Sequence, residues 1–565
     1  MVRNRVSIVL LPLLLIALLL STVGGCQRST EPGLSAWTGD VKVGTLYGKV
    51  EGKVEGEDTL AWRGIPYAKP PVGDLRWKAP RDPDSWKVTL KAFDFGSECT
   101  QYGITGLIKG SEDCLYLNVW RPQSDEDNLP VYFWIHGGGN SMGAASEKGY
   151  DGANLAGKWD MVVVTVNYRL GPLGWFTCES LRSDEPGAEL DNSGNYGTLD
   201  LIQALTWVKD NIAAFGGDPG RVTVAGESAG AINIFSLLIS PQATGLFHGA
   251  IAQSGMPIAL PVAAGEESAR EVILKLLVAD ETASDNVAAQ AHLDRMSGDD
   301  VSAYLRSKPP DKLLAAYEAT GFGMISFPFI FEDGTVIPGA GFDVLETGNY
   351  PNKVPIIIGS NKEETKIFLA FANSALSKNE ALYQKVASVT SDLWKARGVD
   401  EMARKLRLQA DQPAVYAYQF LWGAADASGS SVIPGEYGFK LGACHAMDVP
   451  FFFGNWNFFD VLSGMVFNEQ NRPGREALSN DMQAYVAQFV RTGDPSPDGS
   501  GLVEWTPWSN AAGDPKCVLL NADLNTASIA MSTVEVTEGD VTARIDAEVR
   551  QVIDSFSGAL PFLVG

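Results

Sequence analysis

Strands alternating with helices from about Ala36 to the C-terminal end predict an α/β protein with a large, mostly parallel central sheet flanked by helices. Two observations carry that expectation. Residues 131–135 and 161–166 are continuous apolar runs rich in β-branched and aromatic side chains, as strands buried on both faces require. Residues 199–212 place apolar side chains at helical spacing and separate such strands. The chain has 565 residues and is 45% hydrophobic, enough to bury a sizeable core without low-complexity or disordered stretches.

At the N-terminus, Arg3 and Arg5 precede an apolar run over 6–20 and the small residues of Ser21-Thr22-Val23-Gly24-Gly25-Cys26. This pattern predicts a secretory signal peptide over 1–25. The run falls short of the roughly 20 residues that a membrane-spanning helix needs. Val23-Gly24-Gly25-Cys26 resembles a bacterial lipobox, although Gly24 is not the usual residue there. Cys26 is therefore the candidate lipidation site, giving membrane attachment; cleavage and release is the alternative. Both routes place the chain outside the cytoplasm, as a cell-envelope lipoprotein or a secreted protein. Residues 26–35 form a polar tether, and 36–565 are expected to make a single catalytic domain. The net charge of −24 repels phosphate backbones and argues against nucleic acid as a partner.

Further along, residues 41–54 begin as a β-hairpin, 221–225 form a short strand, and 354–358 and 414–418 are later strands. The segment 257–328 is helix-rich and is expected to cap a site. Export permits disulfides among the six cysteines. Cys99 and Cys114 would close one loop, a cross-link worth on the order of 3 kcal/mol in the chain-entropy model. With Cys26 lipidated, Cys178, Cys444 and Cys517 remain; three thiols cannot all pair with one another, so at least one is left over, and a buried, inert thiol is its default reading.

The chemistry starts at Gly226-Glu227-Ser228-Ala229-Gly230, which follows the 221–225 strand and opens a helix-like segment. G-x-S-x-G in a strand–turn–helix setting is the nucleophile elbow of α/β-hydrolases. Small neighbours let strand and helix approach closely while Ser228 is held in a strained turn. A serine hydroxyl needs a base, and the chain holds four histidines. In this fold the order is serine, acid, histidine, which excludes His136. His248 lies too close behind Ser228 for an acid-bearing strand to intervene. His292 sits in a polar stretch and reads as a helix surface residue. His445, in a glycine-led loop, remains.

The acid should follow a strand between them. Glu364 is the first choice, Glu363 the second, and Asp333, which also reads as a turn residue, the third. His136-Gly137-Gly138-Gly139 follows the 131–135 strand, and its glycines can turn backbone N–H groups toward one point. Gly138, Gly139 and Ala229 are the candidate oxyanion donors, each worth roughly 3–4 kcal/mol in comparable enzymes. No metal or organic cofactor is required.

The sequence resembles the type-B carboxylesterase and cholinesterase family. The likeness runs from about Val43 to Phe453 and rests on 63–73, 111–118, 166–171, 194–197 and 215–219, leading into the elbow. It implies an α/β-hydrolase fold, a Ser228–His445–Glu364 triad, a Cys99–Cys114 disulfide and a small-molecule carboxylic ester as substrate. There are departures. Asn140 stands where the family usually has an aromatic residue after the three glycines. Residues 100–113 lack the tryptophan that binds choline, and Asp448 replaces a common glutamate. Cys444 beside His445 suggests a disulfide that pins the histidine loop. Phe322 and its neighbours up to Phe331 offer an acyl-pocket lining or ordinary core. Two other functions are carried forward: amide or lipid hydrolysis by the same residues, and a non-catalytic surface binding protein.

Overall fold

A computed structural model describes residues 37–555 apart from 57, 104, 373–375, 461 and 498, so the leader, the tether and Cys26 lie outside the described residues. Among the described residues, eleven strands form one sheet. They are β1 (Lys53–Glu55), β2 (Thr59–Pro66), β3 (Tyr116–Pro122), β4 (Leu129–Ile135), β5 (Val162–Val166), β6 (Gly217–Glu227), β7 (Gly249–Gln253), β8 (Ile356–Asn361), β9 (Val415–Phe420), β10 (Cys517–Ala522) and β11 (Ala527–Ser532). Their spatial order is β11-β10-β9-β8-β7-β6-β4-β5-β3-β2-β1. From β10 across to β5 every pairing is parallel, and antiparallel strands finish both edges.

The helices used below are α1 (Ala153–Trp159), α2 (Tyr196–Asn211), α3 (Ala229–Ile239), α4 (Val262–Ala279), α5 (Asn286–Leu293), α6 (Gly298–Arg306), α7 (Pro310–Ala315), α8 (Lys366–Ala372), α9 (Glu380–Lys395) and α10 (Arg472–Thr492). Successive strand side chains point to opposite faces, so each central strand feeds two cores. Val131, Phe133 and Ile135 join one of them, with Leu205 of α2, Ile234 of α3 and Val272 of α4. Tyr132 and Trp134 join the other, with Leu155 of α1 and Met482 of α10. This is why these strands are apolar along their whole length.

The sheet has a switch point at β4, which takes β5 on one side and β6 on the other. Crevices outside the carboxyl ends of strands at such a point are where open α/β sheets bind ligands. The glycine run after β4 and Ser228 after β6 both emerge there. A buried pair braces this edge. Arg169, just past β5, meets Asp200 of α2 through Nε at 2.7 Å and Nη2 at 2.6 Å, and the Arg169 N–H donates to the same carboxylate at 3.0 Å. Asp200→Ala is expected to cost about 3–5 kcal/mol by leaving the guanidinium buried and unpaired. Chemical denaturation should show this as a lowered midpoint.

The 257–328 segment is helix-rich as expected, through α4, α5, α6 and α7. What it presents to the site, however, is the hairpin that follows them, Glu318–Gly321 paired with Met324–Ser326. Among the described residues, no helix is long and apolar enough to cross a membrane.

Candidate active site

Ser228 sits between β6 and α3 with φ +58° and ψ −121°, a conformation that non-glycine residues rarely adopt. The glycines beside it are demanded by contact. A methyl group on Gly230 would lie 2.1 Å from the Ile135 carbonyl oxygen, and one on Gly226 2.7 Å from it. The strand–turn–helix crossing is thus pressed against the end of β4, and the serine is pushed out at its tip.

His445 comes to the same place from the turn that follows the short helix Gly435–Lys440, downstream of β9. Its Nδ1 lies 2.6 Å from Glu364 Oε2, and both residues are buried. The other Glu364 oxygen accepts from Ser254 Oγ and from the Asn361 N–H, each at 2.6 Å. Ser254 follows β7 and Glu364 follows β8, so two parallel strand ends and the His445 turn converge on one carboxylate. The His445 N–H donates to the Glu364 carbonyl at 3.1 Å, tying the two loops together. The imidazole is flanked by Phe368 and Trp394, with ring centroids at 5.2 and 4.9 Å.

The other ring nitrogen, Nε2, lies 3.0 Å from Glu227 Oε1. Among the described residues no hydrogen bond joins Ser228 to His445. Burial alone would push the imidazole down, but Glu227 and Glu364 on its two sides hold its pKa well above 6.5.

The other candidates separate cleanly. Glu363 points away from His445. It forms an ion pair with the buried Lys366 at 2.8 Å and accepts from the Ala443 N–H at 3.1 Å. Asp333 is a turn residue, accepting from the N–H groups of Val336 and Ile337. His248 packs at the start of β7, where its N–H donates to the Val222 carbonyl at 2.7 Å. His136 is buried, stacks on Tyr168 and has its pKa pushed down to about 4 by burial.

In the glycine run, Gly138 and Gly139 have φ of +97° and +60°. Among the described residues, the N–H groups of Gly138, Gly139 and Ala229 have no protein acceptor. The loop packs directly on the elbow, since a methyl group on Gly137 would lie 3.0 Å from Ser228 Cβ. The Met324 sulfur covers Gly139 from the hairpin.

A strained serine, a carboxylate-bound histidine and free N–H donors at the switch point of a parallel sheet suit acyl-group chemistry. The chain matches the model of the carboxylesterase family over residues 39–388 and 371–534. The chain belongs to the carboxylesterase family. Curated relatives agree with this. The para-nitrobenzyl esterase of Bacillus subtilis (strain 168) is 33% identical over 82% of this chain and 91% of its own length. Liver carboxylesterase 1 of Oryctolagus cuniculus is 30% identical over 88% and 92%. Among solved structures, a Geobacillus stearothermophilus carboxylesterase superposes with a TM-score of 0.69 at 30% identity, covering 90% of this chain and 100% of that one.

The protein is thus a carboxylesterase, a hydrolase of carboxylic esters with an α/β-hydrolase fold. The disulfide implied by the resemblance joins Cys99 to Cys114. Among the described residues Cys444 makes no disulfide and is a buried thiol, the default reading for it, and Cys178 and Cys517 are likewise free and buried. Cys444 belongs to the core on one face of the sheet, whereas Cys178 and Cys517 belong to the core on the other. Burial also pushes the Cys444 thiol well up, which disfavours a reactive thiolate.

The phenylalanine-rich segment of this carboxylesterase divides. Phe322 packs edge-on against Phe368, the neighbour of His445, whereas Phe331 is fully buried in the core. Asp448 accepts from the Tyr418 hydroxyl at 2.5 Å and from Asn361 Nδ2 at 3.2 Å. Burial, opposed by that hydroxyl and reinforced by Glu227 and Glu364, pushes its carboxyl up to about 7. Sequence reasoning missed Glu227, Ser254 and Trp394. Glu227 occupies the variable position of G-x-S-x-G, and the other two act through side-chain directions that no local pattern encodes.

Proposed function

We propose that this carboxylesterase works through an acyl-enzyme on Ser228, with His445 as base and Glu364 as the residue that orients it. The observation that carries the proposal is the buried 2.6 Å contact between His445 Nδ1 and Glu364, made beside a serine held at positive φ. Glu364 keeps the Nδ1 proton in place, so Nε2 is the basic nitrogen. Catalytic hydrogen bonds are often loose before substrate binds, and the mechanism requires the Ser228 hydroxyl to meet Nε2 when substrate is bound.

As Ser228 Oγ bonds to the ester carbonyl carbon, its proton passes to His445. The carbonyl oxygen becomes an oxyanion, which accepts from the N–H groups of Gly138, Gly139 and Ala229. Collapse breaks the bond to the alkoxy group, which leaves as the alcohol with the His445 proton. Water then gives its proton to His445 and attacks the acyl-enzyme; the carboxylic acid departs and Ser228 recovers its proton. Residues 36–565 serve as one catalytic unit.

Small aromatic esters, suggested by the para-nitrobenzyl esterase relative, are the first substrates to test. With short and long p-nitrophenyl esters, the expected result is a burst of p-nitrophenol stoichiometric with enzyme, followed by turnover. A fluorophosphonate should label Ser228 alone, as mapped by peptide mass spectrometry. Labelling elsewhere, or none, would overturn the mechanism.

The raised pKa of His445 has a sign. The base form is lost as pH falls through that pKa, so the acid limb of kcat/KM should lie above pH 6.5. Glu227→Gln removes one of the two flanking negative charges and should move that limb to lower pH. A limb that stays put would separate Glu227 from the imidazole.

The leader and Cys26 complete the proposal: the enzyme is exported and held at a membrane by a lipidated Cys26. Fractionation of cells making Cys26→Ala should find the activity moved from membranes to the soluble exported fraction. Unchanged membrane retention would count against lipidation at this residue.

A further inference from the structure

Two buried amides join the glycine loop to the helix that follows Ser228. Asn140 and Asn233 are both fully buried. Asn233 Nδ2 donates to Asn140 Oδ1 at 2.9 Å, and Asn140 Nδ2 donates to Asn233 Oδ1 at 3.4 Å. Asn140 directly follows Gly138 and Gly139, and Asn233 lies one turn into α3, which begins at Ala229. The surroundings fix both ends. The Gly171 N–H donates to the Asn140 carbonyl at 2.7 Å. The Tyr168 hydroxyl donates to the His136 carbonyl at 2.7 Å and also meets the Asn233 side chain.

We propose that the Asn140–Asn233 pair is a positioning element for ester hydrolysis, setting the N–H groups of Gly138 and Gly139 against that of Ala229. The proposal rests on the Ser228 mechanism and its oxyanion donors. Those donors come from two different pieces of chain, the loop after β4 and the helix after β6, and neither piece alone determines the gap between them. A reciprocal amide pair holds one relative placement, because any slip leaves buried polar atoms without partners. An error of about 1 Å in such a placement costs roughly 10²-fold in rate. The competing explanation is that Asn140 is present only because its φ is +54°, a region asparagine enters more readily than most residues.

Asn140→Gly separates the two, since glycine keeps the left-handed backbone and removes the amide. Asn233→Ala breaks the pair from the other side and leaves the loop untouched. Four readouts are taken on each variant and on the double variant: kcat, KM, fluorophosphonate labelling, and inhibition by a trifluoromethyl ketone, which adds to serine as an oxyanion. The expected result is that kcat and ketone affinity fall together by about 10²-fold in each single variant, while KM stays within about threefold. The double variant should lose little more than either single one, as partners in one interaction do.

Thermal unfolding run alongside shows that each variant is folded. A labelled wild type whose Asn140→Gly variant keeps its kcat would overturn the proposal, as would additive losses in the double variant. A wild type not labelled at Ser228 would instead overturn the mechanism beneath it, a result visible before any asparagine is changed.

Discussion

Ser228→Ala is expected to lower kcat on p-nitrophenyl esters by about 10⁶-fold, with little change in KM or in unfolding temperature. The size follows from the role. In the proposed mechanism no acyl-enzyme forms without Oγ, which leaves only water attacking a carbonyl held by the proposed donors Gly138, Gly139 and Ala229. Such residual catalysis runs about 10³–10⁴-fold over water in comparable enzymes. The fold should tolerate the change: alanine meets the same φ of +58°, and the Ser228 side chain makes no capping hydrogen bond to the helix it precedes. Steady-state kinetics on purified variant and wild type decide the matter. A variant that keeps more than about a hundredth of the activity would place the nucleophile elsewhere.

Glu364→Gln should cost about 10⁴-fold in kcat while preserving the shape of the site. Glu364 Oε1 receives two donors, Ser254 Oγ and the Asn361 N–H, so a glutamine would turn its amide oxygen toward them. Its NH₂ group would then face His445 Nδ1 and force the proton onto Nε2. That nitrogen could no longer accept from Ser228. Glu363→Gln provides the contrast within the same loop. Glu363 pairs with Lys366 and the Ala443 N–H, so its main loss should fall on stability. If the two variants lost kcat equally, the orienting role of Glu364 would have to be abandoned.

Part of the site is legible in the sequence. The elbow around Ser228 is a local object, with strand, turn and helix contiguous in sequence and the glycines required within a few residues. His445 followed by elimination among four histidines. Pattern and resemblance put Glu364 ahead of Glu363, but the two are adjacent, and it is the turn of the loop that sets Glu364 on His445 and Glu363 on Lys366. The Cys444 disulfide, the alternative to a buried thiol, is absent among the described residues for a related reason. Closeness to His445 in sequence says nothing about the face of the sheet, and a sheet stands between Cys444 and the other two free thiols. The leader, the tether and Cys26 lie outside the described residues.

By itself, the sequence determined the alternation of strands and helices, the elbow, the glycine run and the family. Each is written in short-range spacing, such as apolar runs for buried strands and small residues where backbones touch. Only the tertiary structure decided which carboxylate meets His445, that Glu227 stands at its other nitrogen, and that Asn140 reaches Asn233. These are contacts between strand ends far apart in the chain, and the packing of eleven strands into one sheet sets their distances. Local patterns choose the elements, whereas side-chain direction across a shared edge arises only once those elements are assembled.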